Sequence, residues 1–168
     1  MSREYPTNSD EIIDSRYVIE RIENLEDERS PLVAAIEEVL DEFEEHAGLS
    51  YDKSDSEHID NDAKLVVLEA SILKRRALLE EWDDDNGELK ELKELASDCS
   101  DYSDWRDGVT LIRDSYFETY AQEFAEDIGA IDRTGGWPAC HVDWEAAGDS
   151  LKMDYTAVEW DGVTYWYR

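Results

Sequence analysis

Apolar residues recur at helical spacing through most of the first hundred positions. After Ser15, placed as an N-cap, Val18, Ile19, Ile22 and Leu25 form one stripe that runs to an acidic stop at Glu26, Asp27 and Glu28. Ser30 followed by Pro31 has the form of a cap and a first-turn proline, which predicts a second helix to about Ala47, closed by Gly48. Its buried stripe is Leu32, Ile36, Val39, Leu40 and Phe43. Residues 49–61, "LSYDKSDSEHIDN", are polar and turn-rich and read as a loop. A long helix is expected from about Asp62 to Trp82, then a break at "DDDNG", then a shorter helix carrying Leu89, Leu92, Ala96 and Cys99. Residues 1–14 read as a flexible polar start, and no internal repeat is visible.

The texture changes near residue 102. "WRDGVTLIRD" looks like a short extended segment. It leads into "YFETYAQEFAEDIG", where Tyr116, Phe117, Tyr120, Ala121, Phe124, Ala125 and Ile128 make a continuous apolar stripe at helical period. Another short helix is expected from after Asp143 to Met153. The chain ends in "TAVEWDGVTYWYR", two alternating strands around Asp161-Gly162, a strong hairpin signal. A two-residue turn there sets Trp160 opposite Val163, Val158 opposite Tyr165 and Thr156 opposite Tyr167. The fold class that follows is α+β, mainly α: an acidic helical lobe over 15–101, then a small α+β lobe over 102–168 with two helices and a terminal β-hairpin.

Charge changes this picture most. Forty-five acidic against sixteen basic residues leave a net −29 over 168 residues. Self-repulsion on that scale opposes compaction, yet 18 aromatic residues, six of them Trp, argue for a folded chain. Residues 1–110 hold 33 acidic and 12 basic residues, and residues 111–168 hold 12 and 4, so both lobes are acidic. DNA, RNA and anionic lipid would repel such a surface, because phosphate binding depends on Lys and Arg. Cationic partners are expected instead, with no direct nucleic-acid or membrane binding. Two cysteines, Cys99 and Cys140, and the lack of a signal peptide or a long apolar run point to a soluble intracellular protein with free thiols.

Enzymatic and metal readings find little support. The repeated "ELK" at Glu88–Lys90 and Glu91–Lys93, behind Asp83–Asp85, has the acid and E-x-K spacing of metal-dependent nucleases. Those motifs lie on strands, whereas Leu89, Leu92 and Ala96 give a helical period here. A calcium loop with Gly87 at its sixth position would put Trp82 at its first, where no ligand is available. Cys140 and His141 lack two further well-spaced ligands, and Cys99, His46 and His58 do not supply them. No Gly-rich phosphate loop appears, and no Ser or Cys nucleophile has recognisable partners; His141 near Asp143 reads as incidental structure. Lys74, Arg75 and Arg76, the only basic cluster, are expected to tie neighbouring acidic helices together. The late aromatics Trp144, Trp160, Tyr165, Trp166 and Tyr167 read as core. No catalytic residue, metal or cofactor is assigned.

The carboxylates remain. In the helix from Tyr116, Glu118, Glu123, Glu126 and Asp127 occupy the outer side with no Lys or Arg in the stretch. In the second predicted helix, Glu37, Asp41 and Glu45 form a row with Glu38 and Glu42 beside it. Rows at i,i+4 space charges about 6 Å apart along the axis, and 29 net charges correspond to roughly 50 Å of duplex at DNA's charge density. An acidic adaptor assembling through apolar helix faces, its charge serving solubility, is the alternative.

"YFETYAQEFAEDIGAI" and "HVDWEAAGDSLKMDYTAVEWDGVTYWYR" together resemble the C-terminal part of the ArdA antirestriction family, over about residues 113–168. Members of that family, carried by phages and conjugative elements, are acidic, usually dimeric DNA mimics that inhibit type I restriction enzymes. The resemblance implies that Glu118, Glu123, Glu126 and Asp127 lie in the antirestriction motif, and that Asp143, Glu145 and Asp149 extend the acidic surface. It also implies a homodimer, an anti-defence role in a bacterial cytoplasm, and a restriction enzyme as partner; a different acidic body on a related C-terminal lobe would instead block another DNA-binding defence complex, such as a CRISPR effector. Residues 1–110 do not match the N-terminal and middle domains typical of that family.

Overall fold

The computed structural model describes residues 5–49, 55–100, 102–132 and 136–168. Two compact units share the chain: residues up to Ile22 together with Lys90–Arg168, and Glu23–Leu89. The boundary therefore falls inside helices, not at residues 101 and 102. The fold is mainly α, with one antiparallel sheet.

The first element, β1 (Ile12–Asp14), lies within the segment expected to be flexible. Ile13 is buried, and the strand pairs antiparallel with β2 (Thr110–Arg113), Ile13 facing Leu111. Three residues are too few to show the alternation that marks a strand in sequence. Helix α1 then runs unbroken from Ser15 to Leu49 with Pro31 inside it, where two helices were expected. An interior proline costs about 3 kcal/mol through its missing N–H and ring clash. Packing on both sides of it opposes that cost, with Leu25, Ile36 and Val39 all buried and a bidentate ion pair from Arg29 two residues away.

The cap also differs from expectation. The Arg16 amide donates to Asp14 Oδ1 at 2.9 Å, so Asp14 caps the helix. Ser15 is fully buried: its hydroxyl donates to the Trp105 carbonyl at 2.6 Å and accepts from the Val109 amide at 2.7 Å.

In the Glu23–Leu89 unit, α1 packs along α2 (Asp55–Asp85), which begins within the predicted loop. Residues 50–54 of that loop lie outside the described residues. Val39, Leu68 and Ile72 form the core, with Leu40 and Phe43 against them. Arg29 Nε and Nη2 reach Asp83 Oδ1 and Oδ2 at 2.7 and 2.9 Å, Arg75 Nη1 donates to the Ala35 carbonyl at 3.0 Å, and Lys64 Nζ lies 3.0 Å from Glu42. Falling residue numbers in α1 meet rising ones in α2, so the two helices are antiparallel.

Helix α3 (Glu88–Asp98) buries Leu89, Leu92 and Leu95, with Cys99 just beyond its end. The short helix α4 (Trp105–Gly108) leads into β2. After a 3-10 turn over Asp114–Tyr116 come α5 (Phe117–Asp127), α6 (Trp144–Lys152), β3 (Thr156–Trp160) and β4 (Val163–Tyr167). The sheet order is β1-β2-β4-β3, all antiparallel. The hairpin has the expected register, with Trp160 opposite Val163, Val158 opposite Tyr165 and Thr156 opposite Tyr167. Asp161 and Gly162 both take positive φ, 47° and 72°, as a tight hairpin turn requires.

Both faces of the sheet carry aromatic contacts. On one, Trp166 meets Phe117 of α5 at 6.1 Å between ring centroids; on the other, Tyr167 meets Tyr102 edge-on at 5.7 Å. Beside Tyr167, burial pushes the Cys99 thiol up to about 11, so it stays protonated at neutral pH. Asp114 accepts from Lys152 Nζ at 2.6 Å and from Trp166 Nε1 at 2.7 Å, joining α6 to β4.

Replacing Ser15 with Ala should leave a buried carbonyl and a buried amide without partners. The expected loss is about 1–3 kcal/mol, read as a lowered urea midpoint at unchanged m-value; a midpoint within error of the parent would reject this role. Asp114 gives a pH signature. The Lys152 ammonium, and then the Trp166 N–H, hold its carboxyl below the usual carboxylate range. Its contribution is complete above the unfolded value near 3.9 and is lost as pH falls through the lower folded value. The stability gap between the parent and Asp114→Asn, about 1 kcal/mol for a half-exposed pair, should therefore be present at pH 7 and shrink toward pH 2.

Candidate acidic surface

The carboxylates singled out from sequence fall on both units. Glu37, Glu38, Asp41, Glu42 and Glu45 belong to the Glu23–Leu89 unit; Glu118, Glu123, Glu126, Asp127, Asp143, Glu145 and Asp149 belong to the other. All are exposed except Glu126, which is partly covered.

On α1 the apolar residues Val39, Leu40 and Phe43 face the core, and every other position from 37 to 45 is acidic. Glu44, missed because it falls between the predicted rows, is exposed as well and makes six carboxylates in nine residues. Nine helical residues rise about 13 Å, so these charges average about one per 2 Å of axis, close to the one per roughly 1.7 Å of duplex DNA. Among the described residues only Glu42 of the six has a cationic partner, Lys64, with His46 Nε2 4.0 Å away.

Around α5 the carboxylates are less free. Glu123 accepts from the Tyr116 hydroxyl at 2.9 Å, which also pushes the Tyr116 phenol up, and Glu126 accepts from Gln122 at 3.1 Å. Two members of the predicted buried stripe are corrected. Tyr116 sits in the 3-10 turn, half-buried, with its hydroxyl on Glu123. Ile128 is 64% exposed, because α5 stops at Asp127 and Gly129 turns the chain away with φ +72°.

Helix α6 lies close against the start of α5. A Cβ placed on buried Gly148 would meet the Glu118 Cα at 3.6 Å and the Phe117 carbonyl at 3.7 Å, ordinary contact distances. This crossing brings Glu118 near the helix that carries Glu145 and Asp149, which follow one another at i,i+4. Asp143 has a different task. It is the N-cap of α6, its Oδ1 accepting from the Ala146 amide at 3.0 Å. The signal was in the sequence, since Asp before an apolar helical run is a preferred cap.

The basic cluster acts as expected only in part. Arg75 alone ties α2 to α1, through the Ala35 carbonyl, while Lys74 and Arg76 are exposed and have no partner among the described residues. The free cysteines differ in setting: Cys99 is buried and Cys140 exposed. Among the described residues no group of three or more His, Cys, Asp or Glu could hold a metal ion, and no helix is long and apolar enough to cross a membrane. Comparisons with protein-family models, characterised proteins and solved structures return no match.

Cap and surface roles should separate by stability. Asp143→Ala is expected to cost about 1 kcal/mol, whereas Glu145→Gln and Asp149→Gln should stay within about 0.5 kcal/mol of the parent. Urea unfolding of the three variants tests this, and equal effects would remove the distinction.

Proposed function

We propose that this chain is a non-enzymatic DNA mimic, encoded by a phage or mobile element. It would act in the bacterial cytoplasm by occupying the cationic DNA groove of a host defence enzyme. A type I restriction enzyme is the first candidate target and a CRISPR effector the second. The observation that carries the reading is the α1 array, six exposed carboxylates at nearly the axial charge density of DNA on a helix pinned by its apolar face. Glu118, Glu123, Glu126, Asp127, Glu145 and Asp149 offer further carboxylates on the segment that resembles the ArdA C-terminal part, and that resemblance supports the choice of target.

The mechanism is competition. A groove lined with Lys and Arg to neutralise phosphates meets carboxylates at similar spacing, displaces its counterions, and is closed to DNA. Long-range attraction speeds the encounter. Helical anchoring matters because the charges are already positioned, so little ordering entropy is lost on binding. No side chain has to perform chemistry.

Bulk action sets the expected mutational pattern. Glu123→Gln or Glu126→Gln alone should change inhibition less than about twofold. Neutralising Glu37, Glu38, Asp41, Glu42, Glu44 and Glu45 together should weaken it on the order of tenfold or more. Binding to the captured enzyme should fall steeply with salt and be displaced by duplex DNA. An adaptor that assembles through apolar faces would instead bind with little salt dependence and ignore DNA. Complete loss of inhibition from one exposed acid would count against mimicry.

A further inference from the structure

Helix α2 is apolar on two opposite sides, and the core uses only one of them. Leu68 and Ile72 are buried against α1, with Leu65 and Leu79 half-buried on the same side. At about 100° per residue, Ala63, Val66, Ala70, Leu73 and Ala77 line the side directly opposite. They recur at intervals of 3, 4, 3 and 4, the a and d positions of a heptad repeat. Val66 is 65% exposed, the adjoining Val67 67% and Leu73 62%. A helix whose outward side faced only water would not need branched apolar residues at two successive d positions.

The residues beside this seam identify what covers it. With Ala63, Ala70 and Ala77 at a, the g positions are Asp62, Glu69 and Arg76 and the e positions Val67, Lys74 and Glu81; Asp62 would face Val67 and make no ion pair, which leaves Glu69, Arg76, Lys74 and Glu81 as the charged set. All four are exposed and have no partner among the described residues. In a parallel pair of helices each g residue meets the e residue five positions later on the partner helix. That rule sets Glu69 against Lys74 and Arg76 against Glu81, opposite charges each time, and the two-fold axis repeats both contacts. A cationic groove would call for acids alone along this side. A surface carrying both signs in this order is matched by itself.

We propose that the outward face of α2 is a parallel dimer seam for a second copy of this chain, held by Val66 and Leu73 and registered by Glu69 with Lys74 and Arg76 with Glu81. The apolar part of the seam ends at Ala77; the next d position is Glu80, with Arg76 and Glu81 flanking it. The seam explains why two cations of a strongly acidic chain, Lys74 and Arg76, have no carboxylate partner among the described residues. The proposal does not depend on which enzyme the acidic surface meets, and a failure of inhibition assays would leave it intact.

Sedimentation equilibrium of the full chain should give a dimer, and Leu73→Glu should give a monomer with unchanged helical circular dichroism. Glu69→Lys should weaken the dimer at least several-fold, and adding Lys74→Glu should restore it. In a Cys140→Ser background, oxidation of Ala70→Cys should yield a disulfide-linked dimer, since a positions face each other across a parallel seam. A monomeric parent, a dimer that survives Leu73→Glu, or no rescue by the double variant would each overturn the proposal. Efficient cross-linking between Ala70→Cys and Leu73→Cys chains but not between two Ala70→Cys chains would overturn the parallel arrangement.

Discussion

Like charge is the constraint on which every other feature of this chain depends. With nearly three acids for each base, contacts between elements cannot rely on exposed ion pairs, and the assembly has to be held by apolar stripes and by a few well-placed cations. The cations show this rationing. Arg29 makes a bidentate pair with Asp83 between α1 and α2. Lys152 donates to Asp114 while its ammonium lies 5.3 Å from the centroids of both Phe117 and Trp166. A cation held between a carboxylate and two aromatic faces interacts with all three at once. Where no cation is present, neutral groups join the elements, as Ser15 does between the start of α1 and the segment before β2.

The parts of the fold legible in the sequence were those in which one local signal had no competitor. Asp161-Gly162 between alternating strands fixed both turn and register, because few residues tolerate two consecutive positive φ angles. Leu89 and Leu92 gave α3 its period, and Asp143 marked the start of α6. Elements set by distant contacts were not legible. Pro31 after Ser30 resembles a helix start, and only the burial on either side of it keeps α1 continuous. Strand β1 is three residues long and exists through its pairing with β2, about a hundred positions away. Ser15 looked like a cap because a serine before a helical stripe usually is one; its partners, Trp105 and Val109, lie about ninety positions on.

The surface was legible in kind and less so in detail. Sequence identified the acidic rows of α1 from their spacing, and the structure adds that, among the described residues, only Glu42 of the array meets a cation, Lys64. It did not foresee that Glu123 and Glu126 hold neighbouring side chains, nor that the outer side of α2 is apolar. The latter was hidden by its symmetry. Apolar residues on opposite sides of one helix cancel in any measure of sidedness, so the sequence shows a long helix here without showing that it is apolar on two sides.

A division of labour between the two acids emerges from these contacts. The carboxylates that hold structure are chiefly aspartates: Asp14 caps α1, Asp143 caps α6, Asp83 grips Arg29, and Asp114 joins Lys152 to Trp166. The freely displayed array on α1 is chiefly glutamate, Asp41 being its one aspartate. The side chains explain the difference. Aspartate is short enough to reach its own backbone, which suits caps and turns and disfavours helix interiors, whereas glutamate costs little inside a helix and carries its charge farther from the axis. A chain that must place many negative charges on rigid helices while keeping a few for its own assembly meets both needs by this choice. The proposed role of the display therefore does not compete with stability: the acids that would meet a partner are largely not the acids on which the fold relies.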